Sequence, residues 1–218
     1  MSETKTLSEQ TQKALQDFIS NIPEEAQKIV GGAFEKLLKS DAGANAPTKG
    51  EQAPDFELPN VRGDDTRLTE RLKQGPVVLS FYRGGWCPFC NLEFKALSDI
   101  LPQIENKGAS LIGISPELPD ASLSTIEKHE LPFEVLSDSG NKVADKYGLV
   151  MTVYEELHPL YKEWGIDIAA ANGDDSYRLP LPATFIIKQD GSIHACYVNK
   201  DYTTRMEPED ILTALDSI

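Results

Sequence analysis

An apolar run, Val77-Val78-Leu79-Ser80-Phe81-Tyr82, feeds through Arg83-Gly84-Gly85-Trp86 into Cys87-Pro88-Phe89-Cys90, and this junction restricts the chain to few folds. The run reads as a buried strand. The segment after it, Asn91 to Asn106, carries apolar residues at helical spacing. Two thiols spaced C-x-x-C at the first turn of a helix that follows a buried strand form a redox arrangement. Unpaired amide groups and the macrodipole at a helix N-terminus favour negative charge, so a thiol placed there ionises more readily. Pro88 suits the first helical position. Cys87 is then expected as an exposed N-cap residue, with Cys90 one turn on, on the same side and partly buried. Arg83, on the connecting turn, adds a positive charge near the sulfurs or else lies at the surface paired with an acid.

Composition narrows the function classes. The 218 residues include 21 basic and 35 acidic side chains, a net charge of −14, which argues against nucleic acid and anionic membrane surfaces. No apolar run approaches a membrane span. The first residues lack the basic-then-apolar layout of a secretory signal. Three cysteines, two in redox spacing, suit a reducing compartment, so the expected location is the cytoplasm. His129, His158 and His194 are scattered, and a zinc site on Cys87 and Cys90 lacks a second ligand pair. Neither a metal nor another cofactor is expected.

Two parts are expected, a helical extension with its linker over residues 1–50 and a main domain over 51–218. In the extension, Leu15, Phe18, Ile22, Ala26, Ile29 and Val30 follow three- and four-residue steps, and Pro23-Glu24-Glu25 reads as a second helix start. That stripe covers either the chain's own domain or a second copy in a homodimer. From Ala53 strands and helices alternate: a hairpin around Arg62-Gly63-Asp64-Asp65, then strand 77–82, helix 87–106, strand 109–114, helix 119–130, strand 133–136 and helix 139–147. A short strand near 149–153 precedes a long irregular stretch, 155–180. Strands 183–188 and 192–199 and a helix near 208–217 complete the chain. The fold class is α/β, one central mixed sheet flanked by helices. Tyr161, Trp164 and Tyr177 argue that the long stretch is ordered and borders the thiols. Cys196, in a strand with no thiol near it in sequence, reads as structural, with a resolving role as the alternative.

The chain resembles a known family at three places. Trp86-Cys87-Pro88-Phe89-Cys90 after a buried strand resembles the thioredoxin active site. Ala53-Pro54-Asp55-Phe56-Glu57-Leu58-Pro59 is similar to the opening of peroxiredoxins, and Leu181-Pro182-Ala183-Thr184-Phe185-Ile186-Ile187 to the strand that follows their active site. The resemblance spans about residues 53–217 and points to the peroxiredoxin-like branch (alkyl hydroperoxide reductase / thiol-specific antioxidant) of the thioredoxin-like superfamily. It implies a thioredoxin-like sheet and a cis Leu181–Pro182 bond. Cys90, eight residues after Tyr82 and three before Glu93, stands where the peroxidatic cysteine does. The chain departs from the pattern where Cys87 replaces a threonine, Arg83 a proline and Pro182 an arginine, the threonine and arginine being the groups that orient and polarise peroxide in the family.

The resulting expectation is a thiol-dependent oxidoreductase. Cys87 and Cys90 are catalytic, and Arg83, Trp86, Glu93 and Pro182 shape the site. Trp86 lies over the thiols or is ordinary packing, and Glu93 is a site carboxylate or a surface acid. Hydroperoxides are the substrate and thioredoxin or a similar dithiol the reductant. The alternatives are a general disulfide reductase and a redox-sensing binding protein. Position at the helix start favours Cys87 as nucleophile; the resemblance favours Cys90.

Overall fold

The computed structural model describes residues 5–218. Helices α1 (Leu7–Asn21) and α2 (Glu24–Lys39) come first, broken at Pro23 as the sequence predicts. Thr6 caps α1 in a reciprocal capping box with Glu9, and Glu207 accepts from the Leu7 and Ser8 amides, tying this end to the far end of the chain. Acids in the first turn of α2 and lysines in its last turn complement the helix dipole. Of the apolar stripe, Ala26 is buried and Leu15, Phe18, Ile22, Ile29 and Val30 are half-buried; Leu7, Ala33 and Leu37 are buried beside it.

A small hairpin of β1 (Glu57–Pro59) and β2 (Asp65–Arg67) leads through α3 (Leu68–Leu72) to β3 (Val77–Phe81). Then follow α4 (Pro88–Asn106), β4 (Ser110–Ser115), α5 (Pro119–His129), β5 (Glu134–Ser137), α6 (Lys142–Lys146) and β6 (Val150–Thr152). Pro102 lies inside α4, which continues through it to Asn106.

The stretch expected to be irregular is instead built of short elements. These are a 3-10 turn (Glu155–Leu157), α7 (His158–Glu163), α8 (Ile168–Asn172) and β7 (Arg178–Pro180), which pairs antiparallel with β6. Each helix is too short to show a periodic stripe, which is why the pattern hides them. Strands β8 (Ala183–Ile187) and β9 (Ile193–Val198) and helix α9 (Pro208–Asp216) close the chain.

The main sheet has the order β5-β4-β3-β8-β9, with β3, β4 and β5 parallel and β8 and β9 antiparallel to their neighbours. Strand β3 is central and wholly buried, so both its faces are apolar. Val77, Leu79 and Phe81 point to a core shared with Tyr147 and Phe185, while Val78 and Tyr82 point to the core under α4 and α9. The turn after β3 therefore delivers Arg83 to Cys87 at the end of the sheet, beneath α4.

One expectation fails here. No peptide bond among the described residues is cis, so Leu181–Pro182 is trans. The Leu181 amide bonds Leu149 and Ala183 already pairs with Phe81, so the chain runs extended through the proline and the trans default suffices.

Candidate active site

Cys87 is the N-cap of α4 with Pro88 at the first helical position, and Cys90 lies one turn on. The expected exposure of Cys87 is overturned: both sulfurs are 0% exposed, and both cysteines are free. Both lie in a core cluster with Val78, Tyr82, Phe89 and Phe94, and Leu15 of α1 and Trp86 pack against it as a cover that local sequence does not reveal. A cleft of about 70 Å³ beside the thiols is lined by Phe18 of α1, Val30 of α2, Tyr161 and Trp164 of the 155–166 segment, and Trp86 and Pro88 on either side of Cys87. Phe18 meets Trp164 edge-on at 5.2 Å, and Trp86 meets Tyr161 at 5.7 Å. Trp86 is thus part of the cover, and its indole N–H has no partner.

Arg83 is only 3% exposed and makes no ion pair with any carboxylate among the described residues. Its Nη1 lies 3.9 Å from Cys87 Sγ and its Nη2 donates to Tyr161 Oη at 2.6 Å. The guanidinium stacks over the Tyr202 ring at 4.3 Å and near Trp86 at 5.0 Å. The surface-arginine alternative is therefore excluded by position.

Glu93 is buried as well. It faces inward from α4 and pairs with Arg205 Nε at 2.5 Å, both side chains being 2% exposed. Arg205 Nη2 reaches Cys90 Sγ at 3.3 Å, while Nη1 donates to the Tyr202 and Thr204 carbonyls. Arg205 was not foreseen. It lies 112 residues from Glu93 in a loop between β9 and α9, and no spacing points to it. The one available hint was Glu93 itself, since an acid on the buried face of α4 requires a cation. Pro182 occupies the position of the family's arginine, and Arg205 brings a guanidinium to the sulfurs from another part of the chain.

Charge explains the titration of the pair. Of the two buried guanidinium groups at the sulfurs, Arg205 is paired with Glu93 and Arg83 has no carboxylate partner, leaving its charge for a thiolate to neutralise. Burial pushes the Cys87 thiol up, but the Cys90 hydrogen bond and the Arg83 and Arg205 charges outweigh it and hold Cys87 well below an ordinary thiol. Burial, the hydrogen bond to Cys87 and the Cys87 charge hold Cys90 well above, against Arg205. One sulfur ionises easily and the other keeps its proton. Burial also raises Glu93, opposed by Arg205.

On the other side of the turn, Glu117 is buried, accepts the Gly85 amide at 3.1 Å and the Thr125 hydroxyl at 3.3 Å, and is raised by burial. Cys196 lies in β9 opposite Phe185, part-buried against the core that faces away from α4, and burial raises its thiol.

The chain matches the AhpC/TSA family over residues 49–196, more than half its length. The chloroplastic peroxiredoxin Q of Sedum lineare is 28% identical over 171 residues, covering 78% of this chain and 79% of that protein. The chloroplastic peroxiredoxin Q of Gentiana triflora is 29% identical over 153 residues, covering 70% of this chain, and the matched part spans 60% of the gentian protein. Among solved structures, peroxidoxin BcpB from Mycobacterium tuberculosis superposes with a TM-score of 0.61 at 24% identity, covering 78% of this chain and 97% of that one. The sheet and its flanking helices are thus the thioredoxin-like fold of peroxiredoxins, and the chain belongs to the AhpC/TSA family. Membership favours thiol-dependent peroxidase chemistry over disulfide exchange alone. No helix among the described residues is long and apolar enough to cross a membrane.

Proposed function

We propose that this chain reduces hydroperoxides with Cys87 as the attacking sulfur and Cys90 as the resolving one, and that thioredoxin or a similar dithiol recycles it. The observation that carries this reading is Arg83, a buried cation with no carboxylate, held against Cys87. The Cys87 thiolate attacks a peroxide oxygen, the O–O bond breaks, and a sulfenic acid and an alcohol or water result. The Cys90 thiol then condenses with the sulfenic acid, releasing water and leaving a Cys87–Cys90 disulfide. An external dithiol returns both electrons by exchange.

The AhpC/TSA match supports the peroxidase reading against a general disulfide reductase. Helices α1 and α2 serve in this reading as a cover for the thiols rather than as a dimer contact. An unpaired set of cysteines supports a reducing compartment such as the cytoplasm; the plant relatives, by their names, are chloroplastic.

The test measures consumption of hydrogen peroxide and tert-butyl hydroperoxide with and without a thioredoxin system, beside insulin disulfide reduction. Peroxide turnover that depends on thioredoxin supports the proposal; insulin reduction alone overturns it. Mass spectrometry of Cys87→Ser and Cys90→Ser after one equivalent of peroxide identifies the attacking sulfur. Sulfenic acid trapped only on Cys90 reverses the assignment.

A further inference from the structure

The step just described leaves an alkoxide or hydroxide that must be protonated inside a covered, mostly aromatic cleft. Neither sulfur is placed to do this, since Cys87 is consumed and Cys90 must keep its proton for the condensation. Glu93 is engaged by Arg205, and Glu117 faces the Gly84–Gly85 side of the turn.

Among the hydroxyls that line the cleft, that of Tyr161 is the one hydrogen-bonded to Arg83. Tyr161 is buried, lines the cleft, and receives a 2.6 Å hydrogen bond from Arg83 Nη2, the same guanidinium whose Nη1 faces Cys87 Sγ. Its oxygen is therefore occupied as an acceptor, while its own proton has no acceptor among the described residues. A guanidinium holds its donors in a fixed planar fork. Arg83 thus sets the sulfur and the phenol side by side, one on each nitrogen. Tyr202 is arranged differently, with its ring face against the guanidinium.

We propose that Tyr161 is a catalytic residue of this chain, the general acid that protonates the departing oxygen of the hydroperoxide. This rests on the peroxidase reading above. The Cys87 thiolate attacks the outer oxygen of R–O–O–H, an S–O bond forms, and the O–O bond breaks. Sulfur loses two electrons and the peroxide gains them. The departing R–O⁻ takes the Tyr161 proton and leaves as the alcohol. The phenolate, held against Arg83, recovers a proton from solvent water in the cleft. In sum, thiolate, hydroperoxide and one proton give sulfenic acid and alcohol.

The experiment compares two oxidants in single turnovers of the reduced full chain. tert-Butyl hydroperoxide expels a basic alkoxide that needs a proton, whereas peracetic acid expels a carboxylate that departs without one. Tyr161→Phe is expected to slow the first on the order of 100-fold and the second, which shares only the loss of the Arg83 contact, far less. Equal losses with both oxidants, or no loss with either, overturn the proposal. A second variant keeps the test valid should Tyr161→Phe fold poorly. Tyr161→3-fluorotyrosine keeps the shape and makes the phenol more acidic, so the alkaline fall in the tert-butyl hydroperoxide rate should begin at lower pH. An unshifted fall overturns the proposal. A wild-type chain inert to both oxidants would instead sink the peroxidase reading beneath it.

Discussion

Replacing Arg83 by methionine removes the charge while keeping a long apolar side chain, so it isolates electrostatics from packing. The nearest guanidinium nitrogen is 3.9 Å from Cys87 Sγ. At that distance, with an effective dielectric constant of about 20, a unit pair interacts by about 4 kcal/mol; placing the charge at the guanidinium centre lowers this to about 3. The site also returns to balance without a thiolate, because Arg205 and Glu93 neutralise each other. Both effects favour the protonated thiol. The thiol–thiolate equilibrium should therefore move toward the thiol by a factor of about 10²–10³. The assay is the second-order rate of the reduced protein with hydrogen peroxide across pH, together with the ultraviolet absorbance of the thiolate. In Arg83→Met the midpoint of the rate–pH curve should move to higher pH, by that factor in proton concentration, and the full rate should be regained at alkaline pH. Arg83→Lys should fall between, since a point charge cannot hold both Cys87 and Tyr161. A rate–pH midpoint for Arg83→Met within tenfold of wild type in proton concentration would refute the charge argument.

Three further outcomes follow from the same geometry. Arg205→Met alone should lower the unfolding free energy by about 3–5 kcal/mol, because Glu93 is left buried without its cation; Glu93→Leu combined with Arg205→Met should restore most of it. Urea midpoints at constant slope decide this, and an Arg205→Met midpoint equal to wild type counts against a structural ion pair. Glu117 titrates above its ordinary value of 4.5 because of burial, so the native state binds its proton more tightly than the unfolded chain does. Its contribution is therefore lost as pH rises from the ordinary carboxylate range through the native value. Glu117→Gln should match wild type in acid and exceed it in stability at neutral pH, and parallel stability–pH curves would contradict this. Oxidation consumes the thiolate that neutralises Arg83, so the Cys87–Cys90 disulfide should be more oxidising than thioredoxin at about −270 mV. Equilibration with glutathione buffers measures it, and a more negative potential removes the support for a thiolate counter-ion.

The elements that repeat over many residues were legible. The periodicity of α1, α2 and α4, the buried run of β3 and the hairpin around Arg62-Gly63-Asp64-Asp65 each leave a local pattern, and the structure follows them closely. The C-x-x-C at the start of α4 was legible for the same reason, because Pro88 and the preceding strand fix its place. What sequence could not give was anything set by contacts between distant segments. The core cluster that buries Cys87 is completed by Leu15 far upstream, and the cleft beside it by Phe18, Val30 and Trp164. Arg205 meets Glu93 only because the loop after β9 returns beneath α4. The trans Leu181–Pro182 bond shows the opposite hazard, where a family likeness supplied a backbone detail that this chain's own hydrogen bonds do not require.

The departures from the family pattern make physical sense together. A sulfur that must ionise in a dry site needs a cation that no carboxylate has already claimed. Arg205 is claimed by Glu93, so it cannot serve alone. Arg83 can, but it precedes Cys87 by only four residues, and its side chain must fold back over its own turn to reach the sulfur. That turn has no room for side chains. Gly84 sits at φ +150°, and a Cβ there would come within 2.4 Å of Trp86 Nε1; a Cβ on Gly85 would come within 2.1 Å of Thr125 Oγ1. Glu117, receiving the Gly85 amide, fixes the same turn from behind. The pair of glycines, the buried Glu117 and the unpaired arginine are thus parts of one device, which lets an arginine be delivered from within the turn before Cys87 while Pro182 stands just ahead of β8.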